Sequence, residues 1–197
     1  MRSDKMRDIL TLLKNNKRKT TISTVLVLAL ALFVLSTPLS EPESRDTGFN
    51  RADVMFMNMM IIHHDQAIEM AELSTNRTDN ENILELSRNI SKAQRAENEQ
   101  MAEWLRELGY QRPVRGHRMA GMASQEQMQR LENSSGREFD RLFSELMIVH
   151  HRGGIQMAQS FSQRGRNPEL IEMEKGMVRA QTEEIEKMQK WRSNWTE

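Results

Sequence analysis

Apolar residues along this chain fall into one almost wholly apolar run and, further on, four stretches of helical spacing. The run is Ile22 to Leu35, inside a segment from Thr20 to Ser40 that carries no charge. After it, apolar positions recur every three or four residues, the period of a helix with one buried face. The spacing predicts helices over about 52–73, 81–108, 139–161 and 168–195. Asn76 to Asn80 and Arg164 to Pro168 break the pattern, with Gly165 and Pro168 as punctuation and Gly109 ending the second helix. No alternating strand pattern is present.

The helical stretches repeat. Shifting the chain by 87 residues lays Met60-Ile61-Ile62-His63-His64 on Met147-Ile148-Val149-His150-His151. The same shift matches Asp53 with Asp140, Phe56 with Phe143, Met70-Ala71 with Met157-Ala158, Gln94 with Gln181, Glu97 with Glu184, Met101 with Met188 and Trp104 with Trp191. One ungapped offset over some fifty residues marks a duplication. Its units run about 50–108 and 137–195, joined by a connector, 109–136. Two helical hairpins of equal length, each with an apolar stripe, are expected to pair into a four-helix bundle.

Composition then separates the two ends of the molecule. The 197 residues hold 28 basic and 28 acidic side chains, so the net charge is zero. Residues 1–19 carry seven of the bases and two of the acids, a net +5, which leaves −5 on residues 41–197. A basic cluster followed by 21 uncharged residues reads as an export signal or a membrane anchor, and the length matches the roughly 20 residues that span a bilayer. The exit, Leu35-Ser36-Thr37-Pro38, has no clear A-x-A cleavage site, which favours an uncleaved anchor over a cleaved signal peptide. The positive-inside rule then leaves residues 1–19 in the cytoplasm and sends residues 41–49, a linker, and the bundle, 50–197, across the membrane. The balanced charge gives no support to a nucleic-acid partner.

The chain has no cysteine and 16 methionines. That excludes disulfides, thiolate metal sites and thiol nucleophiles, and it directs attention to imidazole and thioether. His63-His64 and His150-His151 each have a methionine three before the first histidine (Met60, Met147) and seven after it (Met70, Met157), all on the inward side of a helix. The connector adds His117-x-Met119-x-x-Met122, and Gly116 and Gly121 make it flexible enough to fold over one end of the bundle. Thioether selects Cu(I), and imidazole suits copper in either state. Methionines at helical spacing are more often packing, which is the reading for Met101, Met173, Met177 and Met188. Asp53 and Asp140 are read as charges near helix N-termini. Gln94, Glu97, Gln181 and Glu184 interrupt an apolar stripe and need partners, for which histidine N–H groups on the facing helix are the candidates.

The block Met60 to Ala71, its copy Met147 to Ala158, and Met119-Ala120-Gly121-Met122 between them resemble the DUF305 family, which includes copper-binding proteins of the CopM type. The resemblance spans about 50–195. It implies a ferritin-like four-helix bundle outside the cytoplasm and carries over Met60, His63, His64, Met70, Met119, Met122, Met147, His150, His151 and Met157 as copper ligands. Two positions depart from the family pattern. Gln66 stands where a glycine is usual, kept in the second copy as Gly153, and its bulk is expected to crowd the first half-site; Ala120 stands where the loop usually has proline.

The leading expectation is a membrane-tethered, extracytoplasmic protein, not an enzyme, that buffers or sequesters copper and contributes to copper resistance. It implies a copper ion as ligand, the membrane as anchor, and a copper-delivery or efflux protein as partner; a homo-oligomer stays open. Two alternatives remain at this stage. One is a structural or signalling bundle. The other is a ferritin-like di-metal enzyme, which would need a Glu-x-x-His pair that neither half supplies.

Overall fold

In the computed structural model, residues 48–111 and 119–195 are described, and they form a single compact unit that is helical with no strand among them. Residues 20–40, read above as the membrane segment, and His117 lie outside the described residues. No helix among those described is long and apolar enough to cross a membrane. Four long helices, α1 (Arg51–Leu73), α2 (Glu81–Glu107), α4 (Gly136–Ser162) and α5 (Pro168–Trp195), stand within a few residues of the predicted ones. A short helix, α3 (Gln125–Glu132), lies in the connector, where none was predicted.

Local chemistry sets these boundaries. Asn50 caps α1 through a capping box with Asp53, and Asn80 caps α2. Gly109, with φ of +80°, ends α2: its N–H donates to Arg106 O while Tyr110 N–H donates to Leu105 O, the paired bonds of a Schellman turn. Ser124 starts α3 with a second capping box, closed by Gln127. That Ser-x-x-Gln signal, followed by the fully buried Leu131, was the sequence's evidence for α3.

α1 pairs with α2 and α4 pairs with α5 as the two repeats, and the hairpins join through α1 and α4. Those two helices run antiparallel. Phe56 meets Phe161, His63 meets His150, and just past the other end Arg77 O accepts from Gly136 N–H. Repeat mates therefore face one another at mid-length, and each end of the bundle is built from opposite halves of the two repeats. One end packs Phe56, Met60, Met101, Met157, Leu170 and Met177. The other packs Met70, Ile83, Leu131, Phe139, Phe143 and Met147.

Asp53 ties α1 to the start of α5. Its carboxylate accepts from the backbone N–H of Asn50 within the capping box and from those of Arg166 and Asn167. Its repeat mate Asp140 accepts instead from the side chain of Asn80, at the start of α2. Both aspartates thus act at helix N-termini, as expected, and each also stitches one hairpin to the other. Glu174 is an unexpected neighbour of Asp53. It is only 2% exposed, its Oε2 has no hydrogen-bond partner, and burial together with the Asp53 charge pushes its pKa from 4.5 up to about 7. Its repeat mate is Ser87.

Two outcomes follow. Asp53→Ala strands three backbone donors and should cost about 3 kcal/mol in urea unfolding, as hydrogen bonds to a charged acceptor typically do. Because the folded state holds the Glu174 proton up to about pH 7 while the unfolded chain releases it near 4.5, stability should fall as pH rises through that window. Glu174→Gln should raise stability at pH 8.5 by about 1–3 kcal/mol and leave it nearly unchanged at pH 4.

Candidate functional site

His63, His64, His150 and His151 sit at mid-length of α1 and α4, each with no solvent exposure. Along both helices the histidine pair separates the two apolar clusters, so the imidazoles form a polar layer inside the bundle. The His63 and His150 rings lie against one another with centroids 3.8 Å apart and planes tilted by 34°. Gly154 leaves the room for this: a Cβ there would come within 3.3 Å of His63 Cε1 and 2.7 Å of Gln181 Oε1.

The outer pair is oriented from the facing helices. His64 Nε2 lies 2.9 Å from Glu97 Oε2, and His151 Nε2 lies 2.7 Å from Glu184 Oε2. A carboxylate only accepts, so each Nε2 carries a proton, and in the neutral ring Nδ1 is the nitrogen left with a lone pair. His63 Nε2 donates to the Ala120 carbonyl at 3.1 Å, which fixes the same tautomer. The Nδ1 atoms of all four histidines have no hydrogen-bond partner, and neither nitrogen of His150 has one. Oε1 of Gln94 and of Gln181 is likewise buried and unpartnered.

Burial holds the inner pair uncharged. Loss of water, reinforced by the His64 and His151 rings, lowers His63 to about 3 against the opposing pull of the Ala120 carbonyl. Burial and the neighbouring histidines put His150 well below its ordinary value. At neutral pH both rings are therefore free bases, the form that binds metal.

The structure regroups the methionines. Sequence spacing put Met60 and Met70 on one ridge with His63 and His64, and Met147 and Met157 on its copy. The antiparallel crossing of α1 and α4 instead brings Met60 together with Met157, and Met70 with Met147. Each grouping takes one thioether from each repeat. Met119 joins Met60 and Met157 as a buried member, and Met122 packs against the same cluster. Met101 and Met177 are core there, as expected, and Met188 is core at the other end. Among the described residues no three His, Asp or Glu side chains converge as a metal-holding group.

The connector also departs from expectation. Met119 to Ala123 does not fold over one end of the bundle; it docks at mid-length, beside the histidine layer. Ala120 O accepts a hydrogen bond from His63 Nε2, and Gln66 hydrogen-bonds Ala123 through both its amide atoms. Gln66 therefore points to the loop instead of crowding the histidines.

The DUF305 profile, described as a domain of unknown function, matches residues 53–192. Among solved structures, a DUF305 protein from Streptomyces coelicolor is 31% identical, with a TM-score of 0.66 over 70% of this chain and 89% of that one. The Cu(I)-bound form of CopM is also 31% identical, with a TM-score of 0.62 over 73% of this chain and 96% of that one. A DUF305 fragment from Deinococcus radiodurans, 27% identical, gives 0.66 over 72% and 95%. No curated protein matches the chain significantly. From the doubled His-His block to the helical pairing that buries it, the chain belongs to the DUF305 family.

Proposed function

We propose that this protein binds copper, Cu(I) foremost, outside the cytoplasm, and buffers or sequesters it without turning over a substrate. One observation carries the reading: four imidazoles with no solvent exposure keep their Nδ1 lone pairs unpartnered between two groups of thioethers. Leaving a buried polar atom unsatisfied costs about 1–3 kcal/mol, and a coordinated ion would offset that cost at several atoms together. The donor set is borderline and soft, which is the set that suits copper. Glu97 and Glu184 act behind the ligands, holding His64 and His151 in the metal-binding tautomer.

CopM has been solved with Cu(I), Cu(II) and silver, and in this chain thioethers would suit the soft ions and imidazole copper in either state. A di-metal oxygen-activating centre is disfavoured, since the carboxylates nearest the histidines are engaged in hydrogen bonds to them. Absence of cysteine suits an oxidising compartment, where thioethers persist and thiols tend to be lost to disulfides. On this reading residues 20–40 tether a ferritin-like bundle to the membrane with its metal layer on the far side. The ligand assignments are Met60, His63, His64, Met119, Met122 and Met157 around the loop, with Met70, Met147, His150 and His151 completing the layer and its far side.

Titration of the full chain with Cu(I) against a competing chelator should give tight binding. Changing His63, His64, His150 and His151 to Ala should weaken it by about 100-fold or more, equivalent to about 2.8 kcal/mol. Unchanged affinity in a helical, folded variant would remove these residues from the site. Cu(I) at about 100 times its Kd should also raise the melting temperature by roughly 5–10 °C, as binding to the folded state alone requires. No shift at saturating metal would favour a bundle whose methionines and histidines are packing only.

A further inference from the structure

The loop carrying Met119 and Met122 is gripped from both sides, and the two grips sit on repeat-equivalent positions. On α1, Gln66 Nε2 donates to Ala123 O at 3.0 Å, and Ala123 N–H donates back to Gln66 Oε1 at 2.7 Å. On α4 the equivalent residue is Gly153, and there the backbone itself makes the contact. A Cβ at Gly153 would lie 2.0 Å from Ala120 O, and one at Gly121 would lie 2.5 Å from Val149 O. Between the grips, Ala120 O accepts the hydrogen bond of His63 Nε2. A duplicated pair of positions has thus diverged into a side-chain clamp and a flat docking surface.

We infer that Gln66 is a positioning residue: its amide latches Met119–Ala123 across the helices, so that the Met119 thioether and His63 Nδ1 are set in place before a soft metal ion arrives. This rests on the copper reading and adds a consequence to it. The two inner histidines become inequivalent. His63 has its tautomer fixed by the latched loop, whereas neither nitrogen of its repeat mate His150 has a partner. A metal ion on the loop side meets a pre-ordered thioether and imidazole and need not order the loop as it binds. Pre-organisation of this kind lengthens the lifetime of a complex more than it speeds association.

The full chain, its Gln66→Ala variant and its Gln66→Glu variant distinguish the outcomes, with Ag(I) and Cu(I) as the metals used. Two quantities are followed: hydrogen exchange at the Ala123 amide, and the rate at which a chelator withdraws bound metal. Gln66→Ala removes both hydrogen bonds on a half-buried site where alanine favours helix, so the helices should persist. Ala123 exchange should accelerate, and metal release should accelerate about tenfold, the scale of two lost hydrogen bonds. Gln66→Glu keeps the acceptor for Ala123 N–H and loses the donor to Ala123 O, so it should fall between the two. Faster Ala123 exchange with unchanged metal release would overturn the positioning role and leave the copper reading standing. Failure of the unaltered chain to retain either metal would bring down the copper reading, and the latch's role in binding with it.

Discussion

The exclusion of water from four imidazoles is the constraint on which the centre of this molecule turns. The centroids of two of the rings are 3.8 Å apart, a distance at which two imidazolium ions would repel strongly, and burial holds both uncharged. Everything adjacent follows from keeping them neutral and oriented. Glu97 and Glu184 accept hydrogen bonds from the outer rings, Ala120 O accepts one from His63, and glycine at position 154 leaves space where a methyl group would press on His63 and Gln181. A core layer of this polarity brings no hydrophobic stabilisation of its own, so the apolar clusters on either side must hold the bundle together.

The antiparallel crossing of α1 and α4 converts a linear repeat into a centred one. Repeat mates meet at the middle, and first and last halves meet at the ends. The ends have not stayed alike. Around Met60, Met157 and Met119 the packing is dominated by thioethers, and around Phe139, Phe143 and Ile83 it is aromatic and aliphatic. The same difference shows in the polar pairs, where Ser87 is mated with Glu174 and Gly153 faces a loop that Gln66 holds by its amide. Duplication supplied symmetric scaffolding, and substitution at mated positions made one face of it distinct.

Much of this was legible in the sequence. Helical periodicity and the constant offset of 87 gave the four long helices to within a few residues, because both are local properties of the chain. Glu97 and Glu184 were marked as needing partners by the cost of burying a carboxylate in an apolar stripe, and the His64 and His151 rings provide them. The short helix α3 was missed although Ser124 and Gln127 spell a capping box, since eight residues are too few for a periodic signal.

The sequence by itself determined which residues are inward, which are repeated and what donor chemistry the chain has available: imidazole and thioether, no thiol. Only the tertiary structure decided which donors share a site. Spacing along α1 places Met60 and Met70 on a common ridge about 15 Å apart, but only the antiparallel run of the partner helix decides that Met60 shares a cluster with Met157 and Met70 with Met147. The loop was beyond the reach of pattern for a similar reason. Its place is set by an amide on one helix and the lack of a side chain on another, a meeting of residues nearly sixty positions apart on one side and about thirty on the other that no local preference encodes.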